Sequence, residues 1–236
     1  MYNKTYSNYQ DLIKTIAIFA MIIDHTGLYL FPEYPVMRLI GRVSMPIFCF
    51  FAGYNFKNKP NHLILLYGLF LYIIHTVLFI HFSYVNILVS IYLGQCYLFL
   101  FHHKLKKFFY SGYIHVVILA VLWNVTSNLF DYGSLAIAIM ILGYIAKHDQ
   151  NNYKLTIFIA VLLQVSHTLV IFTFLSKYIV ISLGIAEYLI ITLKDFNYRI
   201  NTNLNSLSRN ALFIYFAHLI IIQLIFYLRI TVFPQL

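Results

Sequence analysis

Charged groups sit inside the first long apolar segment, Leu12 to Phe31. Lys14, Asp24 and His25 interrupt a run of Ile, Phe, Met and Ala, and Arg38 and Arg42 follow near the start of the next such run. Hydrocarbon penalises each charged side chain by roughly 2.5–3.5 kcal/mol even on the mild insertion scale. Four formal charges turned to lipid would cost on the order of 10 kcal/mol. They must pair with one another or line a wet cavity, and any fold of this chain has to provide for that.

Composition narrows the fold further. Of 236 residues, 61% are hydrophobic and 10% charged, which no soluble domain of this size can cover with polar surface. Apolar windows able to cross about 30 Å of hydrocarbon fall near residues 12–31, 36–56, 61–81, 84–101, 113–130, 133–147, 154–175, 178–193 and 207–231. The expected fold is all-α: a single polytopic transmembrane helix bundle over residues 1–236, with about nine spans and a charged site built from the first two helices. The first segment is too long and too charged for a cleaved signal peptide.

Lysine and arginine in alternate connections set the orientation. One set holds Lys4, Lys57, Lys59, Lys104, Lys106, Lys107, Lys147, Lys154, Lys194, Arg199 and Arg209; the other holds little beyond Lys177 and Arg229. This bias puts the N-terminus in the cytoplasm and, with nine spans, the C-terminus outside. The net charge of +9 is thereby read as a topology signal, not as a nucleic-acid-binding face. The Asn-rich stretch from Lys194 to Ser206 is expected to cap the last helix, and no internal repeat is visible.

Several residue types carry little. Cys49 and Cys96 are isolated in apolar segments and define neither a metal site nor a disulfide framework. No histidine pair has zinc-ligand spacing on a helix, and no His-Glu-x-x-His, Gly-x-Ser-x-Gly or phosphate-cradling glycine loop occurs. No metal is expected. His75, His81, His115 and His167 read as polar packing; His218, mid-span in the last segment, is placed to line the same cavity as the first-helix charges.

Helical geometry organises those charges. Lys14 and His25 are eleven residues apart, close to three turns, so they share one face about 16 Å apart with Ile18 and Met21 between them. Asp24 points about 100° away from His25. Its natural partners are Arg38 and Arg42, which share a face of the next helix, reached through the short turn Phe31-Pro32-Glu33-Tyr34-Pro35. Pairing there leaves His25 in a positively biased pocket with its ring free to act as a base. The bland alternative, a strut between two helices, accounts for Asp24 and the arginines better than for Lys14 and His25 together.

The segment from Lys14 through Asp24-His25-Thr26-Gly27 resembles the opening helix of the TraX family, membrane proteins linked to N-terminal acetylation of conjugative pilin. Met37-Arg38, Gly41-Arg42 and Pro46-Ile47-Phe48 resemble its second motif, Phe130-Asp131-Tyr132-Gly133 its central element, and Leu207-Ser208-Arg209 leading to Tyr215 and His218 its closing helix. That family is similar in turn to polytopic acyltransferases marked by a basic residue and a histidine with ten residues between them in the first helix, the spacing of Lys14 and His25. The resemblance implies an enzyme of the bacterial inner membrane that takes an acyl group from cytoplasmic acetyl-CoA, or a related acyl-CoA, to a pilin, glycan or lipid acceptor. It implies His25 as base or transient acyl carrier, Asp24 with Arg38 and Arg42 as the supporting charges, and Lys14 toward the anionic donor. Asp131, Tyr132 and His218 are then expected to contact substrate. The Phe50-Phe51-Ala52-Gly53-Tyr54 stretch lacks an acidic residue of many relatives, which leaves the acceptor open.

Intramembrane Asp, His, Lys and Arg also build proton relays, so a proton-coupled transporter or flippase is the rival reading. Transporters more often show interrupted helices in both halves. Here the charges crowd into the first two spans, as a single catalytic site requires.

Overall fold

The computed structural model describes residues 9–79, 85–107, 109–171, 177–192 and 204–232. Most of the Asn-rich stretch expected as a cap, and Lys4, His81, Lys194 and Arg199, lie outside these residues. The described residues form eleven helices: α1 Tyr9–Tyr29, α2 Pro35–Gly41, α3 Ser44–Tyr54, α4 His62–Phe79, α5 Ile87–Lys107, α6 Phe109–Thr126, α7 Gly133–His148, α8 Tyr153–Ile171, α9 Lys177–Thr192, α10 Leu204–Arg209 and α11 Ala211–Val232. Among them no strand forms, only an isolated parallel bridge between Val85 and Phe130. The protein is an all-α membrane protein. Four stretches, Tyr9–Tyr29, Pro35–Tyr54, Tyr153–Ile171 and Ala211–Thr231, are long and apolar enough to cross a bilayer, and His62–Leu78, Tyr110–Thr126 and Gly133–His148 are shorter apolar helices.

Its surface is that of a chain solvated by lipid. Val77, Leu100 and Val121 each expose 70% or more of their area, while Gln95, Gln164, Thr156 and Glu187 are buried. Water would penalise that arrangement; hydrocarbon demands it.

Two of the nine expected segments are broken. The second divides into α2 and α3 at Arg42 and Val43. Pro46 lacks an amide hydrogen, and its ring clashes with the carbonyl four residues back, that of Arg42. The Arg42 amide instead closes α2 onto the Arg38 and Leu39 carbonyls at 3.1 and 3.3 Å, and Ser44 Oγ donates to the Gly41 carbonyl at 2.7 Å. The last segment divides at Asn210, whose side-chain amide donates to the Ser206 carbonyl at 2.9 Å.

The described residues fall into two compact units, one drawn from Met1–Ile47 and Tyr178–Leu236, the other from Phe48–Lys177. In the first, α1 and α2 form an antiparallel helical hairpin through a turn in which Leu30 and Phe31 donate to Thr26 O and Tyr34 donates to Phe31 O. Pro35 opens α2 at a position where a missing amide hydrogen costs nothing. α10 and α11 run alongside α1 in the same direction: Ser208 meets Asp11, His218 meets His25, and Arg229 Nη1 donates to the Leu30 carbonyl at 2.8 Å.

The second unit is built around α7, which is buried along nearly its whole length, from Gly133 to Ala146. α5, α6 and α8 all pack on it. α3 approaches it through reciprocal glycines. A Cβ on Gly53 would collide with the Met140 carbonyl, and one on Gly143 with the Phe50 carbonyl. Small residues let backbones touch where hydrophobic force between helices is absent.

Gly143→Ala is therefore expected to lower the detergent-solubilised unfolding midpoint, at a cost of about 1–3 kcal/mol from overpacking. Gly112→Ala should be nearly silent, because its nearest neighbour, at 2.6 Å, is the tip of the Ile145 side chain. Equal midpoints for the two variants would refute backbone contact at α3 and α7.

Candidate functional site

The site grows out of the α1–α2 hairpin. Gly27 and Gly41 let these helices close on each other: a Cβ on Gly27 would lie 2.7 Å from Met37 Cβ, and one on Gly41 would overlap Asp24. At that approach Arg38, one turn before Gly41, reaches the Asp24 carboxylate. Its Nη1 donates to Asp24 Oδ2 at 2.7 Å and to the Asp24 carbonyl at 3.3 Å. The pair is largely desolvated, with side-chain exposures of 17% for Arg38 and 9% for Asp24. Arg42 interacts electrostatically with the same carboxylate. Asp24 Oδ1 is buried and has no hydrogen-bond partner among the described residues.

His25 leaves the same turn of α1 toward α11. Its Nδ1 lies 2.7 Å from Nε2 of His218, and the two rings stack at 5.0 Å between centroids, 23° from parallel. Tyr215, one turn earlier on α11, sets its ring edge-on against both imidazoles at 5.7 and 5.6 Å. His218 Nδ1 lies 2.8 Å from the Ile214 carbonyl. His218, read from the sequence as a substrate contact, is thus a direct partner of His25. Arg38 and Arg42 also act electrostatically on His25. One turn of α1 accordingly gathers two imidazoles, two guanidiniums, a carboxylate and a phenol.

Lys14 lies at the other end of the buried face. α1 is continuous from Tyr9 to Tyr29, so Lys14 and His25 keep the three-turn spacing of about 16 Å. Asp11, one turn before Lys14, interacts electrostatically with it. Asp11 is itself buried and accepts a hydrogen bond from Ser208 Oγ on α10. Sequence reasoning missed this carboxylate, although the spacing of three residues from Lys14 was visible.

Asp131 and Tyr132 belong to the other unit. The Asp131 backbone is pinned twice, donating to the Val85 carbonyl at 2.9 Å and accepting from Ser90 Oγ at 3.1 Å, and its side chain is exposed. Tyr132 caps α7 in the left-handed region at φ 62°, a strained conformation for a bulky residue. That conformation carries its buried ring onto His167, with centroids 5.0 Å apart and 28° between the planes. Trp123 approaches the same imidazole edge-on at 5.0 Å. The sequence reading placed His167 as packing and did not anticipate this stack.

Glu187 was also missed, although it is the single acidic residue of α9. It lies on the buried stripe Val180, Gly184, Glu187 and Ile191, and its Oε1 has no hydrogen-bond partner among the described residues. Among those residues no group of three His, Cys, Asp or Glu could hold a metal ion.

Removing one member of a buried ion pair strands the other, typically at about 3–5 kcal/mol. Arg38→Leu alone is therefore expected to lower the unfolding midpoint strongly, and Asp24→Leu/Arg38→Leu to recover much of the loss. An additive double variant would show that the two side chains do not depend on each other.

A family model described as TraX protein matches residues 9–226. The chain is 47% identical over 239 residues to an uncharacterized protein of Rickettsia prowazekii (strain Madrid E), covering 97% of this chain and 96% of that protein. A shorter similarity, 37% over 54 residues, covers 21% of this chain and 22% of the probable fimbrial assembly protein FimC, serogroup H1, of Dichelobacter nodosus. No solved structure matches.

Proposed function

The chain belongs to the TraX family, and on that premise we propose that it is a multi-span acyltransferase that moves an acetyl group from acetyl-CoA to an amine or hydroxyl acceptor. The observation that carries this reading is the convergence on His25 of a second imidazole and the Asp24–Arg38 ion pair. A histidine so placed is equipped for proton transfer, and the guanidiniums beside it suit an oxyanion.

In the proposed reaction His25 takes the proton of the acceptor N–H or O–H as that atom attacks the thioester carbonyl. Arg42, whose charge reaches both Asp24 and His25, stabilises the oxygen that becomes negative. The carbon–sulfur bond then breaks, and the departing thiolate takes the proton back from His25, leaving acylated acceptor and free CoA thiol. Asp24 holds Arg38 in place. Lys14, with the N-terminus in the cytoplasm, faces the anionic donor. The acceptor class is a pilin N-terminus, with surface glycan and lipid as the other candidates. The family's link to pilin and the fimbrial-assembly name of the Dichelobacter protein support the first. The proposed location is the bacterial inner membrane.

Glu187 favours one other reading. A buried carboxylate in a membrane helix is the usual component of a proton pathway, so a proton-coupled transporter remains the competing function.

Release of CoA thiol from acetyl-CoA by purified protein in vesicles decides between them. Turnover with a pilin-like peptide, an amine or a sugar is expected, falling to background in His25→Ala with insertion unchanged. Lys14→Ala should chiefly raise the KM for acetyl-CoA. No acetyl-CoA binding and no turnover, with proton flux that depends on Glu187, would install the transporter instead.

A further inference from the structure

Which nitrogen of His25 does the chemistry is decided by α11. A backbone carbonyl only accepts hydrogen bonds. His218 Nδ1, 2.8 Å from the Ile214 carbonyl, therefore carries a hydrogen. In a neutral ring the other nitrogen then has only its lone pair, so His218 Nε2 must accept. His25 Nδ1, 2.7 Å away, supplies that hydrogen, and the neutral His25 ring is left with its lone pair on Nε2. The chain of bonds runs from His25 Nδ1–H to His218 Nε2, and from His218 Nδ1–H to the Ile214 carbonyl.

We propose that His218 is a positioning residue: it fixes the tautomer and ring plane of His25 so that Nε2 is the basic atom, and it does so by presenting a backbone-locked acceptor. This inference rests on the acyltransferase reading for its consequence in turnover, but not for its geometry. A carboxylate is the usual partner that orients a catalytic imidazole. Here the neighbouring carboxylate, Asp24, is engaged with Arg38, and a neutral imidazole takes the orienting place. Tyr215 closes the arrangement by packing its ring against both imidazoles. The i to i−4 contact of His218 with Ile214 costs α11 nothing beyond what the helix already provides, because both residues lie on one face of it.

The role is specific enough to separate from packing and from proton relay. Gln offers an amide oxygen that can accept from His25 Nδ1–H without titrating; Leu fills similar space and accepts nothing. Nitrogen-15 NMR of histidine-labelled protein in bilayers, with the His25 signals identified by their loss in His25→Asn, reads the tautomer without any substrate. The expected result is protonated Nδ1 and bare Nε2 on His25 in the wild type and in His218→Gln, and a mixture of tautomers in His218→Leu. In the thiol-release assay His218→Gln should stay within about tenfold of wild type while His218→Leu falls by about 10²-fold, as the mixed tautomer combines with the loss of a held ring plane. A proton on Nε2 of His25 in the wild type would overturn the proposal, as would an unchanged tautomer in His218→Leu. Loss of turnover in His218→Gln with the tautomer intact would overturn it too, because His218 would then have to carry the proton itself. Should no acceptor turn over at all, the acyltransferase reading fails while the NMR result still decides the tautomer.

Discussion

The buried pair of Asp24 and Arg38 is the interaction on which the site depends. A carboxylate on a membrane helix is tolerable only if its counter-charge arrives with it, and the counter-charge here sits on the next helix. That requirement fixes how α2 folds back on α1. The backbones must come close enough for the guanidinium to reach, so Gly41 stands where any side chain would strike Asp24, and Gly27 where one would press on Met37. Once the hairpin is set, residue order alone sends His25, the next residue, off the α2-facing side of α1 and toward α11. The ion pair thus positions His25 without touching it.

Much of this was legible from residues. The Lys14, Asp24, His25, Arg38 and Arg42 spacing pointed to the first two helices as a candidate site, and the pairing of Asp24 with an arginine one short turn away, seen with Arg38, followed from helical periodicity. The helix boundaries also fell close to the apolar windows. Two breaks did not. That between α2 and α3 was written in Pro46, whose effect falls four residues upstream, at Arg42, and hydropathy windows do not register it. The partnership of His25 with His218 spans 193 positions, a contact that depends on α11 lying parallel to α1 and that no local pattern encodes. The stacking of Tyr132 on His167 was missed for a similar reason: it follows from a left-handed backbone at Tyr132 that the following Gly133 hinted at but did not require.

The second unit shows how a membrane chain packs where, among the described residues, no charged side chain is buried. α7 is enclosed on all sides, and its contact with α3 is made by Gly53 and Gly143 meeting backbone. Burial there cannot draw on a hydrophobic gain, since lipid is as apolar as leucine; close van der Waals packing has to suffice. The first unit is thus organised around a buried ion pair, and the second around close backbone fit with hydrogen-bonded polar residues such as Thr156 and Thr168 beside it.

Charge balance in the first unit bears on what the site can accept. Around His25 stand two guanidiniums and one carboxylate, and the carboxylate is already spoken for by Arg38. With both imidazoles neutral, the neighbourhood retains net positive charge in a medium that screens it poorly. Such a field favours a group that becomes negative during the reaction over one that begins positive. A thioester carbonyl turning into an oxyanion fits it; an acceptor arriving as an ammonium does not, and an amine would have to lose its proton on the way in. Asp24 Oδ1, buried without a hydrogen-bond partner among the described residues, is a further acceptor beside His25 Nε2 that could take an N–H or O–H from such a neutral group. On the proposed acyltransferase reading, the charges that stabilise the oxyanion would thereby also select the protonation state of the acceptor.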